Sequence, residues 1–199
     1  MEEHTLPLSN VEIIRAVQSR DIEKIRSLRQ ADEKVVTNCD EKGYTAFHWA
    51  AFSDDVEVFD LLMEGSYRYV WECRTSIGLT CLHVACATNS VRIVRKIVEI
   101  LKSNPSSAGH INDQNAFMET PLHVAAMAND IEIAQILLGG GADVSAVDKL
   151  NRTARRVRIL GYFIPFIFHE IIILYFSRLH WKMETLCWRR CCPLMQMMI

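Results

Sequence analysis

The chain has 199 residues, half of them apolar, which is enough for one ordinary domain with a buried core and further material beyond it. Its formal net charge of −2 hides an asymmetry: residues 1–151 carry 14 Lys/Arg against 22 Asp/Glu, a balance of −8, and residues 152–199 carry 8 against 2, a balance of +6. The acidic body argues against nucleic acid as a partner, because phosphate binding draws on clustered Lys and Arg.

Taken in order, the opening MEEHTLPLSN is acidic and has no apolar run behind a positive start, so no secretory signal is expected and a cytoplasmic setting follows. Seven cysteines fit that setting, since an odd count without secretory context argues against a disulfide framework. Cys39, Cys73, Cys81 and Cys86 fall among apolar positions, where a small buried thiol is the ordinary reading.

From Thr45 the chain begins to repeat itself. TAFHWAA starts at Thr45, TCLHVAC at Thr80 and TPLHVAA at Thr120, spacings of 35 and 40 residues. About ten residues after each Thr comes a second pattern: DVEVFDLLM from Asp55, SVRIVRKIVEIL from Ser90 and DIEIAQILL from Asp130. Apolar residues at i, i+3, i+4 and i+7 make each of these a helix buried on one face. The segment starting at the Thr is short and rich in small residues (Ala50, Ala51, Ala85, Cys86, Ala125, Ala126), which lets neighbouring helices approach closely. Each copy is therefore two helices.

Asp54, Asn89 and Asn129 sit where the chain must reverse between them, and Asx residues tolerate left-handed backbone angles. Gly43 and Gly78 stand two residues before their Thr, at a turn, and Met118 takes that place in the last full copy.

These motifs resemble the ankyrin repeat. The T-P-L-H-x-A-A signature is complete at Thr120, Pro121, Leu122, His123, Ala125 and Ala126, and it recurs with substitutions at Thr45–Ala51 and Thr80–Cys86. GGGADVSAVD after the last helix is similar to the family's G-A-D-V-N-A-x-D, and the upstream IIRAVQSRDIEKIRSLRQA resembles a terminal copy that has lost its T-P-L-H. The resemblance implies an all-α ankyrin repeat solenoid of helix-turn-helix units with connecting hairpins, over residues 8–153. The approximate copies are 8–39, 40–74, 75–114 and 115–147, with the start of a fifth at 148–153. KSNPSSAGH, residues 102–110, stretches the third copy and reads as a surface loop on one edge.

His48, His83 and His123 stand in register, yet one copy apart is on the order of 10 Å for stacked helices, whereas metal ligands converge within about 2 Å of one ion. Their expected role is structural: the Thr hydroxyl caps backbone amides and the imidazole bridges neighbouring copies. The chain has no phosphate loop, nucleophile elbow or H-E-x-x-H, and CWRRCC with His180 fits no common zinc spacing. No enzyme, cofactor or metal is expected.

What remains is binding of a protein partner by a monomeric head. In the ankyrin family partners meet the hairpin tips and the outward side of the first helices. The matching positions here are Glu41, Lys42 and Tyr44, then Ile77 and Leu79, then Phe117 and Glu119, then Leu150, with Phe52 and Met127 on the first helices. Tyr44, Ile77, Leu79, Phe117 and Leu150 are more apolar than a solvated tip requires and are expected to form one stripe. The alternative for Ile77 and Leu79 is that they fold back onto neighbouring hairpins.

After DKLNRTA the pattern stops. Residues 154–199 form a basic, apolar C-terminal tail, helical or disordered, in which 159–176 hold 18 mostly apolar residues, the lower limit for a membrane-spanning helix. Glu170, His169 and Pro165 oppose insertion, and arginines flank both sides, so no orientation follows. Three readings stand: a membrane anchor for an adaptor, an alternative terminus never selected to pack on the repeats, or a helix covering the open end of the solenoid.

Overall fold

The structure is a computed structural model that describes residues 8–159, which belong to a compact unit ending at Ile159. Eight of its helices come in four pairs of packed neighbours. The first pair is α1 (Leu8–Gln18) and α2 (Ile22–Ala31), followed by a 3-10 segment at Glu33–Thr37. Next come α3 (Ala46–Phe52) and α4 (Val56–Met63), with a single extra turn α5 (Tyr69–Glu72). Then follow α6 (Cys81–Ala87) with α7 (Val91–Ser103), a 3-10 segment at Pro105–Asn112, α8 (Pro121–Met127) with α9 (Ile131–Gly139), and α10 (Ala154–Ile159). Among the described residues extended pairing is limited to two isolated bridges, Cys39 with Thr45 and Val147 with Thr153. The expected all-α helix-pair solenoid is the fold.

Local chemistry sets each pair. The reversals carry positive φ at Arg20 (55°), Asp54 (52°), Asn89 (57°) and Asn129 (54°), a region Asx residues enter at small cost. After three of these reversals the next residue caps the second helix with its side chain: Asp21 accepts from Lys24 N at 3.0 Å, Asp55 from Val58 N at 3.2 Å and Asp130 from Ile133 N at 3.0 Å, whereas Ser90, at the start of α7, makes no such bond. Asp54 also reaches the following pair, accepting from Ile93 N at 3.0 Å.

Packing follows from the size contrast between the two helices of a pair. α3, α6 and α8 bring Ala50, Ala51, Ala85, Cys86 and Ala125 into the interior, so their backbones stack closely. The longer helices supply volume through Phe59, Leu62, Ile93, Ile97, Leu101 and Ile133, all fully buried. Ion pairs link successive helix pairs across the surface: Arg20 with Asp55 (2.7 Å), Lys96 with Asp60 (2.7 Å) and Arg95 with Glu132 (2.7 Å).

Two details differ from expectation. Residues 102–110 are not a loop: α7 runs to Ser103, and Pro105, whose fixed φ suits the first position of a helical turn, opens the 3-10 segment. That segment is anchored by buried Ile111 and by His110, whose ring stacks on Trp71 with centroids 5.4 Å apart. Cys39 is exposed, because it lies in the first hairpin, bridged to Thr45, and not on a helix face. The first residues of the tail form α10, which lies against α8.

Among the described residues no helix is long and apolar enough to cross a membrane. The apolar run of 159–176 extends beyond the described residues, and so do the three readings of the tail.

Candidate functional site

The hairpins between helix pairs are built from one recipe. Five residues before each Thr stands a side-chain acceptor, Asp40, Thr75, Asn115 or Asp148. Its oxygen takes backbone N–H groups of the same hairpin: Tyr44 N at 3.0 Å, Leu79 N at 3.1 Å, Glu119 N at 3.0 Å and Arg152 N at 2.9 Å. Closing the tip requires positive φ two residues before the Thr, at Gly43 (80°), Gly78 (77°), Met118 (60°) and Asn151 (55°). Met118 thus holds a glycine conformation without being glycine.

Successive tips are bonded to one another. Ser76 N donates to Lys42 O at 2.9 Å, Ala116 N to Ile77 O at 2.9 Å and Lys149 N to Phe117 O at 3.0 Å. The residues whose carbonyls accept these bonds, Lys42, Ile77 and Phe117, are in register from copy to copy, and Leu150 occupies the same place in the last hairpin.

Beneath the tips the three imidazoles act as inter-copy bolts. Nδ1 of His48, His83 and His123 accepts from the N–H of Thr45, Thr80 and Thr120 at 3.1, 3.2 and 3.2 Å. Nε2 faces Leu79 O, Glu119 O and Arg152 O of the next copy at 3.0, 2.9 and 3.0 Å. With a donor against Nδ1 and an acceptor against Nε2, each ring is neutral with its proton on Nε2. Desolvation pushes His48 and His83 down to about 4 and lowers His123 as well. The structural role expected of the three histidines is the one they play. Among the described residues no cluster of three His, Cys, Asp or Glu could hold a metal ion.

The residues expected at the binding surface divide into two groups. Leu150 is 70% exposed and Glu41 is exposed, while Lys42, Phe52, Ile77, Phe117 and Met127 are half-buried. Tyr44, Leu79 and Glu119 are not on the surface: they are 5%, 0% and 7% exposed. The reason lies in their position just before the Thr. The carbonyls of Leu79 and Glu119 accept both from their own hairpin and from the preceding histidine, which pins these residues in the seam between copies. Tyr44 sets its ring edge-on to His48, at 5.8 Å, and Glu119 accepts from Asn115 Nδ2 at 2.8 Å. The apolar stripe is therefore Ile77, Phe117 and Leu150, without Tyr44 and Leu79.

Trp49 joins this surface without having been singled out in the sequence. It is half-buried on α3, with its ring 5.7 Å from Phe52 and 6.2 Å from Tyr44, and its indole N–H has no hydrogen-bond partner among the described residues. The signal was available: the other copies carry Val84 and Val124 at this position.

Helix pairs, T-x-x-H bolts and laddered hairpins together define an ankyrin repeat protein. Residues 13–106 and 69–148 match the family model for ankyrin repeats in three copies, and the chain belongs to that family. Ankyrin repeats generally mediate protein–protein interaction, and the family is typically non-enzymatic. The chain is 31% identical over 157 residues to transient receptor potential cation channel subfamily V member 5 of Homo sapiens, covering 74% of this chain and 22% of that protein. It is 30% identical to subfamily V member 6 of Homo sapiens, over 74% of this chain and 20% of that protein. With the BTB/POZ domain and ankyrin repeat-containing protein NPR2 of Oryza sativa subsp. japonica it shares 28% identity over 142 residues, 71% of this chain and 20% of the other. The chain thus spans about a fifth of the length of these relatives.

Proposed function

We propose that residues 8–153 are a non-enzymatic scaffold that binds a partner protein along the hairpin tips and the adjoining first helices. One observation carries this reading: the amide-to-carbonyl ladder across the tips holds Lys42, Ile77 and Phe117 in register, with Leu150 at the end of the row. A rigid row spends little entropy on ordering when a partner docks. Glu41 at the first tip and Trp49, Phe52 and Met127 on the first helices border the row, and a half-buried Trp is the kind of residue that dominates binding energy. The test replaces Ile77 and Phe117 by Ser together and compares the proteins that co-purify from cells with those captured by the unaltered chain. Proteins lost while the melting temperature holds support the reading; an unchanged set, or loss only together with melting, overturns it.

A second reading is an adaptor working at a membrane. Two of the relatives are named as members of a cation channel subfamily, which supports a place beside a membrane protein, and residues 159–176 supply the apolar length for an anchor. Carbonate extraction of cells expressing the full chain, beside a chain ending at Ile159, separates the two readings. Resistant pelleting of the full chain alone favours the anchor, and equal extraction of both removes it.

A further inference from the structure

Two thiols border one cleft at the base of the first hairpin. The cleft, about 390 Å³ in volume, lies between Cys39 and Thr45 of that hairpin on one side and Glu72, Cys73 and Arg74, at the end of α5, on the other. Cys39 is exposed, and Cys73 is buried with 8% of its surface left. Cys39 is bridged to Thr45 across the hairpin, and in an antiparallel pair such a partner stands with its β-carbon about 5 Å away. The Thr45 side of this cleft faces both cysteines, since Cys39, Thr45 and Cys73 line it together. Two cysteines from different copies of the repeat thus border one cleft beside a single threonine. Cys81 and Cys86 differ, being enclosed in the core.

We propose that Cys39 and Cys73 form a peroxide-responsive pair that closes to an intrachain disulfide linking the first hairpin to the end of α5. Burial pushes the Cys73 thiol up to about 11, so it is not the thiolate that meets an oxidant first. Exposed Cys39 does. Its thiolate attacks one oxygen of hydrogen peroxide, the O–O bond breaks, hydroxide leaves and Cys39 becomes a sulfenic acid. Cys73 then loses its proton and attacks the Cys39 sulfur, expelling the sulfenic oxygen, which leaves as water once protonated. The sum is two thiols and one peroxide giving one disulfide and two waters, the two electrons passing from sulfur to oxygen.

The test uses the full chain with Cys187, Cys191 and Cys192 changed to Ser, so that thiols beyond Ile159 do not compete. It is treated with hydrogen peroxide, quenched with N-ethylmaleimide and cut with trypsin without reduction. Cleavage releases residues 35–42, which contain Cys39, and residues 69–74, which contain Cys73. The expected product is these two peptides joined, lighter by two hydrogen atoms than their sum and separated again by dithiothreitol. In the Cys73→Ser variant the joined species is lost and dimedone captures Cys39 as its sulfenic acid; Cys73→Ala serves equally if the Ser variant misfolds. The proposal is overturned if, in the chain retaining Cys73, Cys39 is unreactive, accumulates only as the dimedone adduct, or joins Cys81 or a second chain instead.

Discussion

Nε2 of His83 lies 2.9 Å from the carbonyl oxygen of Glu119, 36 residues further along the chain. One buried ring thereby ties the start of its own helix, through Thr80, to the hairpin of the next copy. His48 and His123 repeat the tie, so three rings couple four consecutive hairpins. Because Nδ1 already receives an N–H, a second proton on the ring would set two donors against each other.

Acid should therefore unpick the stack at the histidines. Desolvation holds His48 and His83 at about 4 in the folded chain, against 6.5 for an exposed ring. Between those values the unfolded chain binds the protons and the folded chain does not. The contribution of each ring is complete above pH 6.5 and is lost as pH falls towards 4, on the order of 3 kcal/mol per ring. Urea midpoints measured from pH 7.5 to 4.5 should fall, and the fall should be shallower in His83→Gln. Equal slopes for both chains would remove the histidines from the account.

The tip glycines should rank by what a β-carbon would meet. At Gly43 it would stand 2.8 Å from Ser76 N, a backbone atom of the neighbouring tip, at φ +80°. At Gly78 the nearest atom is Ala116 N at 3.1 Å, and at Gly141, also at positive φ, nothing lies within 4 Å. Gly141→Ala carries only the conformational cost of about 1 kcal/mol. Gly78→Ala should cost more and Gly43→Ala most, since there the inter-tip ladder itself must shift. Thermal melts of the three variants check the order, which a milder Gly43→Ala would reverse.

Helix pairs, reversals and histidine bolts were legible in the sequence because each depends on local residue type at a fixed spacing. An Asx residue at a left-handed turn, or a T-x-x-H at a helix start, signals its role wherever it occurs. The exposure of the residues in the proposed binding surface was legible only in part, because exposure at a hairpin is decided by the neighbouring copy. Tyr44 and Leu79 look like tip residues by their distance from Gly43 and Gly78, yet the seam between copies encloses both. The segment at 102–110 has loop composition, but stacking of His110 on Trp71, 39 residues away, orders it, and nothing in either stretch alone announces that pairing.

The same contrast gives a stability test for the corrected stripe. Leu79 is fully buried, so Leu79→Ala should cost about 2–5 kcal/mol, whereas Leu150→Ala at a 70% exposed tip should stay within about 0.5 kcal/mol. Chemical denaturation of both variants decides it. Equal costs would place Leu79 back among the tip residues available to a partner.

The last hairpin should depend on Asp148 far more than the outer surface depends on its ion pairs. Arg95 and Glu132 are 2.7 Å apart, but both side chains are more than half exposed, and water competes for each. Arg95→Ala should change stability by less than about 1 kcal/mol. The Asp148 side chain is 2% exposed and accepts from Leu150 N and Arg152 N, both at 2.9 Å, while its second oxygen takes the Arg152 guanidinium at 2.7 Å. Removing it in Asp148→Ala strands two backbone N–H groups and a cation, a loss of about 2–4 kcal/mol. Arg152 O is also the acceptor for His123, so the damage should pass to the seam with α8. Hydrogen exchange should then rise at Leu150, Arg152 and Thr120 in Asp148→Ala and remain as in the unaltered chain in Arg95→Ala. Equal protection of these amides in both variants would mean that the hairpin is held by its packing and not by this carboxylate.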